Sequence, residues 1–186
     1  MTIFLETDRL RLRRFTPDDV DALYALDGDP DVIRWTNLDG RRAPYAFYRD
    51  VLLARSLAYY KKYQGYGYWV AVEKATEDFL GWFHFRPAPD DPDEIELGYR
   101  LQKSAWGRGY ATEGSRALIR KGFWELGAGR VSATALAANR ASVRVMEKAG
   151  LRFERDYVYE FTDPETGQVT GHPAVKYALD RRDFTL

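Results

Sequence analysis

Trp106-Gly107-Arg108-Gly109-Tyr110-Ala111-Thr112-Glu113 is the stretch on which the reading of this chain turns. It follows a run, Glu94 to Leu101, that reads as a strand, and it leads into a helical pattern carrying Ala117, Leu118, Phe123 and Leu126. Two glycines two residues apart let successive backbone N–H groups point into one concavity, and the first turn of the helix adds unpaired N–H groups of its own. Such a corner suits an anion of the size of a pyrophosphate. Taken alone, the glycine pair also reads as a plain tight turn. Two nucleotide loops are excluded. A P-loop needs a lysine and a Ser/Thr after its second glycine, which are missing. A dinucleotide fingerprint needs a third small residue where Thr112 stands and an acid closing the next strand, and residues 131–136 end without one.

Outward from that loop, period-two or β-branched and aromatic runs predict seven strands, at 9–13, 66–73, 79–85, 94–101, 131–136, 153–161 and 174–179. Gly98 inside one of them marks a bulge or a close approach to the backbone. Thr16-Pro17-Asp18-Asp19 opens a helix, with a cap, a first-turn proline and acids at the positive end. Further helices are predicted at 45–63, after Gly109 and at 141–149, and a loop at 87–92. Strands that are both consecutive and alternating with helices give an α/β (α+β) class with a mixed sheet. A length of 186 residues without repeat or linker predicts a single domain over 1–186.

Composition narrows the chemistry. With no cysteine there is no disulfide, thiolate nucleophile or thiolate metal site, and two histidines, His84 and His172, make a histidine zinc centre improbable, so no metal is expected. A formal net charge of zero argues against a nucleic-acid partner. The start MTIFLETDRL lacks a signal-peptide pattern and no apolar run reaches a membrane-spanning length, so no membrane partner and a cytoplasmic location are expected.

The stretch from Glu96 through Gly150 resembles the GNAT acetyltransferases, in particular the branch with the ribosomal-protein N-terminal (alanine) acetyltransferases. Gly109 and Ala111 match the last two positions of that family's Q/R-x-x-G-x-G/A loop, and Trp106 stands at its first position, as is common in this branch. Asn139-Arg140-Ala141-Ser142 through Glu147-Lys148-Ala149-Gly150 resembles the N-x-x-S…E-K-x-G segment, and Thr7 to Leu12 resembles the first strand. The resemblance implies a GNAT-like splayed mixed sheet of about seven strands flanked by helices. It implies acetyl-CoA as co-substrate and an amine acceptor, either a protein N-terminal α-amine or a small molecule; a homodimer would be a family expectation.

By the same resemblance Tyr99 and Leu101 would offer backbone groups to the pantetheine arm, and Trp106, Gly107, Arg108, Gly109, Tyr110, Ala111 and Thr112 would hold the pyrophosphate. Asn139 and Ser142 would contact the arm from the next helix; Asn139 also reads simply as a helix N-cap. An amine must lose a proton before or as it attacks. Glu96 is the preferred base and Glu160 a second candidate, each also readable as a solvated acid. Where many relatives carry a tyrosine general acid this chain has Met146, so Ser142 becomes the candidate for assisting the leaving thiolate. His84, between Phe83 and Phe85, is expected to face opposite to them and is given no role. The competing class is an acyl-CoA-binding sensor with the same loop and no competent base.

Overall fold

The computed structural model describes residues 2–89 and 91–185. Eight strands form one sheet in the order β1-β2-β3-β4-β5-β6-β8-β7, with β1 Ile3–Glu6, β2 Leu10–Arg14, β3 Gly67–Glu73, β4 Phe79–Pro87, β5 Glu94–Leu101, β6 Arg130–Leu136, β7 Arg152–Thr162 and β8 Val169–Asp180. The seven predicted strands are all present. The eighth is β1, a four-residue edge strand too short to carry a readable alternation. The loop expected at 87–92 begins one residue later, since β4 runs through Pro87, and its Asp90 lies outside the described residues.

Every neighbouring pair is antiparallel except β5 and β6. Those two run parallel and pair at only three positions, Glu94↔Arg130, Ile95↔Val131 and Glu96↔Ser132. Beyond Glu96 they diverge, leaving a wedge-shaped gap in the middle of the sheet. The closed end is stapled by a buried carboxylate: Glu94 accepts from Ser132 Oγ at 2.7 Å and from Arg130 Nε at 2.9 Å, and pairs with Lys176 Nζ at 2.6 Å. Burial alone would raise the Glu94 carboxyl. Lys176, Ser132 and Arg130 outweigh it and hold the group below its ordinary value.

The two faces of the sheet carry different layers. On one, Phe83, Phe85, Ile95, Leu97 and Leu101 join the main core under α5 (Tyr110–Trp124) and α6 (Arg140–Lys148). On the other, Tyr68, Val70 and Val72 pack with Leu23 of α1 (Val20–Leu26) and with Tyr48 and Leu53. The helix predicted at 45–63 is present but not uniform. It starts as α3 (Tyr45–Phe47), widens into a π-helical segment at Tyr48–Leu53 and continues as α4 (Ala54–Lys62). The wide turn buries Tyr48, whose hydroxyl donates to Asp27 at 2.9 Å. A short α2 (Pro30–Ile33), capped by Asp29 accepting from the Asp31 N–H, leads from this layer toward the gap.

Glu94→Gln should leave Arg130 and Lys176 against a neutral partner at a site where the carboxylate is buried. We expect a loss of about 3 kcal/mol, roughly 6–12 °C in Tm for a chain of this size, measured by calorimetry at neutral pH. Wild type should lose the same contribution as pH falls through the depressed carboxyl value, below the ordinary carboxylate range.

Candidate active site

The gap between β5 and β6 opens into a cleft of about 620 Å³. Its walls are Tyr99, Arg100 and Leu101 from β5, Thr134, Ala135 and Leu136 from β6, the loop and helix start at Trp106–Thr112, and α6. The loop at its mouth owes its shape to glycine. Gly109 sits at φ +85° as the N-cap of α5 and Gly107 at φ +72°, conformations that side chains rarely adopt. The first bond of α5 runs from the Glu113 N–H to the Gly109 carbonyl at 3.0 Å, so the amides of residues 110–112 project from the helix end into the cleft.

A strut from the opposite end of the chain holds that loop. Glu113 accepts from Thr7 Oγ1 at 2.5 Å and from the Arg9 backbone N–H at 3.0 Å, and it pairs with the Arg9 guanidinium at 2.6 Å. Arg9 Nη1 in turn donates to the Arg108 carbonyl at 2.9 Å. Burial would raise the Glu113 carboxyl, and the bonds from Thr7 and Arg9 carry it down instead. Arg108 turns away from the cleft: its Nη2 meets Glu73 at 3.1 Å, and Tyr110 Oη donates to the same carboxylate. Of the residues predicted from Trp106 to Thr112, Arg108 alone does not line the cleft.

On β5 the Gln102 N–H donates to Leu80 of β4 at 2.8 Å, so the even-numbered residues face β4 and the backbone groups of Tyr99 and Leu101 face the gap. The Leu101 carbonyl is already engaged by the Trp106 indole Nε1 at 2.9 Å. Across the cleft, Asn139 caps α6 by accepting from the Ser142 N–H at 3.1 Å, and Tyr99 Oη donates to Ser142 Oγ at 3.2 Å. Burial pushes the Tyr99 phenol up to about 12, and the Ser142 bond lowers it only partly, so the group stays protonated.

The other face of β5 carries Glu96, Gly98 and Arg100 against Arg86, His84 and Trp82 of β4. Glu96 is the last β5 residue to pair with β6, so it stands at the vertex of the gap. Its carboxylate meets Arg86 Nη2 at 2.7 Å and lies 3.7 Å from His84 Nε2. Gly98 forms no bulge. A Cβ there would stand 2.6 Å from His84 Nε2, so the ring occupies the missing side chain's place, on the face opposite Phe83 and Phe85 as expected. Burial, with Arg86 and Arg100 nearby, pushes the imidazole down to about 3, and it is neutral at physiological pH. Arg100 Nη1 contacts both oxygens of Asp27 at 2.5 Å. Neither Glu96 nor Glu160 lines the cleft; Glu160 lies opposite Gly171 on an exposed stretch of the β7–β8 hairpin.

Several lining residues escaped the sequence reading. Arg140, Arg144 and Lys148 line the cleft from α6, at the i, i+4, i+8 spacing that puts side chains on one helix face. Arg34, Trp35 and Thr36 line it from the end of α2, where the Arg34 guanidinium lies 4.8 Å from the Trp35 ring centroid. Of the aromatics between residues 35 and 63, only Trp35 reaches the cleft. Tyr48 and Tyr59 pack into the layer over β3, whereas Tyr60 packs against the main core beside Trp69 and its Oη accepts from the Phe15 N–H at 3.0 Å.

Residues 9–152 match the family described as acetyltransferase (GNAT) domains. The chain belongs to the GNAT acetyltransferase family. Among its relatives, Bacillus subtilis YkkB is 33% identical over 157 residues, covering 81% of this chain and 86% of that one. The N-acetyltransferase YoaA of the same organism is 28% identical over 164 residues, covering 86% and 90%. A solved structure of RimL, a ribosomal α-N-protein acetyltransferase in complex with coenzyme A, shares the fold with a TM-score of 0.75 at 18% identity, over 96% of this chain and 97% of that one. This acetyltransferase is therefore an acetyl-CoA-dependent enzyme that acylates amines. Among its described residues no helix is long and apolar enough to cross a membrane.

A neutral buried imidazole has a sign that can be checked. The unfolded chain takes up a proton near the ordinary histidine value and the folded one does not, so stability should fall as pH drops from about 6.5 toward 3. Replacing His84 by Gln should flatten the decline in Tm between pH 7 and pH 5, above the range where the depressed carboxylates contribute.

Proposed function

We propose that this protein transfers the acetyl group of acetyl-CoA to a primary amine by direct attack within a ternary complex. The observation that carries the reading is the wedge between β5 and β6. It has an amide-lined, cation-flanked mouth, backbone groups free along one wall and a carboxylate at its vertex. The residues fit the co-substrate's parts. The amides of Gly109 to Thr112 suit a pyrophosphate, and Arg140, Arg144 and Lys148 add positive charge on the same side. The gap-facing backbone of Tyr99 suits the amides of an extended arm, as an added strand would.

In this reading Glu96, through water, accepts the proton that the amine loses as its nitrogen attacks the thioester carbon. Neither carboxylate lines the cleft, but Glu96 stands on β5 at the vertex of the gap, whereas Glu160 lies on the exposed hairpin. The C–S bond then breaks and the electron pair goes to sulfur. Tyr99 and Ser142 together take the role given to a tyrosine elsewhere in the family. A phenol pushed up to about 12 is a weaker acid than a thiol, so it serves best as a hydrogen-bond donor to the departing thiolate, its proton turning from Ser142 to the sulfur while the Ser142 hydroxyl rotates to donate to the phenol oxygen.

Gly109→Trp should abolish acetyl-CoA binding in calorimetry while leaving the melting profile that of a folded protein; retained binding would remove the loop from the site. Tyr99→Phe keeps the backbone and loses only the hydroxyl. It should lower kcat for thiol release by roughly 10- to 100-fold, the worth of one hydrogen bond to a charged group, with the affinity for acetyl-CoA little changed. Glu96→Gln should lower kcat as well and remove the acid limb of the pH–rate profile. A variant as fast as wild type would exclude it as the base.

A further inference from the structure

The charges in the cleft are one-sided. Five cations line it, Arg34, Arg100, Arg140, Arg144 and Lys148, and among the described residues no aspartate or glutamate does. Three of the five lie on α6 beside the glycine loop, where the phosphates of the co-substrate account for them. Arg34 and Arg100 do not belong to that end. Arg100 projects from the face of β5 that carries Glu96, and Arg34 reaches the cleft from α2, which Lys103 ties to the end of β5 by a 2.6 Å ion pair with Asp31. This is the side from which an amine would meet the thioester.

Two guanidinium donors on this face lack an acceptor. Nε of Arg100 and Nε of Arg86 are buried without a hydrogen-bond partner, and both can only donate. Buried donors without acceptors are costly and seldom left so. The side chain of Arg100 is fixed by Asp27, which is itself held by Tyr48, so its guanidinium is held in place at the cleft wall. Arg34, by contrast, is half exposed, with a loose contact to Asp31 at 3.5 Å and its guanidinium over the Trp35 ring. The carboxylates of this face are already matched to cations: Asp27 to Arg100, Glu96 to Arg86, Glu94 to Lys176 and Arg130. A polycationic acceptor would find fixed positive charge here and no unmatched acid lining its path.

We propose that the amine acceptor of this enzyme carries a carboxylate a few bonds from the reacting nitrogen, as an α-amino acid does, and that Arg34 and Arg100 receive it. The inference rests on the acetyltransferase reading above. It deepens that reading by naming an acceptor class: acid-bearing small amines, with polyamines and simple alkylamines disfavoured by the same charges.

The test pairs each amino acid of a panel with its own C-terminal amide, which keeps the amine and removes the anion, and adds a diamine and a polyamine. Binding to the enzyme–CoA complex is read by calorimetry, and turnover by thiol release from acetyl-CoA. At least one free acid should bind and turn over better than its amide by tenfold or more, roughly one charge-assisted contact. Arg34→Gln should collapse that ratio toward one, and Arg34→Lys should restore part of it. Because Arg100→Gln alone strands Asp27, it is made together with Asp27→Asn, and the folded double variant should also lose the preference. Equal or better use of amides or polyamines, or no binding of any free acid, overturns the proposal. Failure of acetyl-CoA itself to bind would instead overturn the reading on which it rests.

Discussion

Two parallel strands that stop pairing after three residues organise this molecule. A strand inside a sheet normally spends its backbone N–H and C=O groups on both neighbours. Past Glu96, β5 keeps its bonds to β4 and has no strand on its other side, and β6 past Ser132 keeps only β8. A wedge with unspent backbone groups in the middle of a sheet is a cost that a ligand's own amides can offset. The rest of the fold maintains that wedge. Glu94, Lys176, Arg130 and Ser132 pin its closed end, while α5 and α6 hold its mouth apart.

The wedge also divides the site's electrostatics. The mouth is built mainly from backbone amides and small residues, which bring partial positive charge without side-chain bulk. Its shape is imposed from outside by Arg9 and Glu113. The vertex is built from long side chains locked in pairs, Glu96 with Arg86 and Arg100 with Asp27, over a neutral His84. Locking matters there because charged groups that need not reorganise act more strongly on a developing charge than mobile ones.

What could be read from the chain follows from how local each feature is. Gly107 to Thr112 and Asn139 to Ser142 were legible because their chemistry is contained in a few adjacent residues: a backbone conformation, a helix start, a cap. The strut from Arg9 to Glu113 was not, since its partners are 104 positions apart and Arg9 alone looks like the exposed face of an edge-proximal strand. The π-helical turn at Tyr48–Leu53 keeps the apolar content of an ordinary helix, so the pattern at 45–63 could show the helix and not the widening. Arg140, Arg144 and Lys148 were in view all along, at a spacing that puts them on one face. Nothing local said that this face, and not its opposite, borders the gap. The same holds for Arg34 and Trp35, which reach the cleft only because α2 is tied to the end of β5.

Gly98 shows how one absent side chain connects these levels. In sequence it marks a close approach without saying what approaches. The fold supplies the answer: the His84 ring fills the space above it, and the ring's burial keeps it neutral between Arg86 and Arg100. A side chain at 98 would push that ring away and disturb the Glu96–Arg86 pair beside it. A charged imidazole in the same place would compete with Arg86 for Glu96 and add a third cation next to two guanidiniums. The burial that keeps the His84 ring neutral, with a single N–H, therefore leaves Arg86 as the cation that meets the Glu96 carboxylate at the vertex of the wedge.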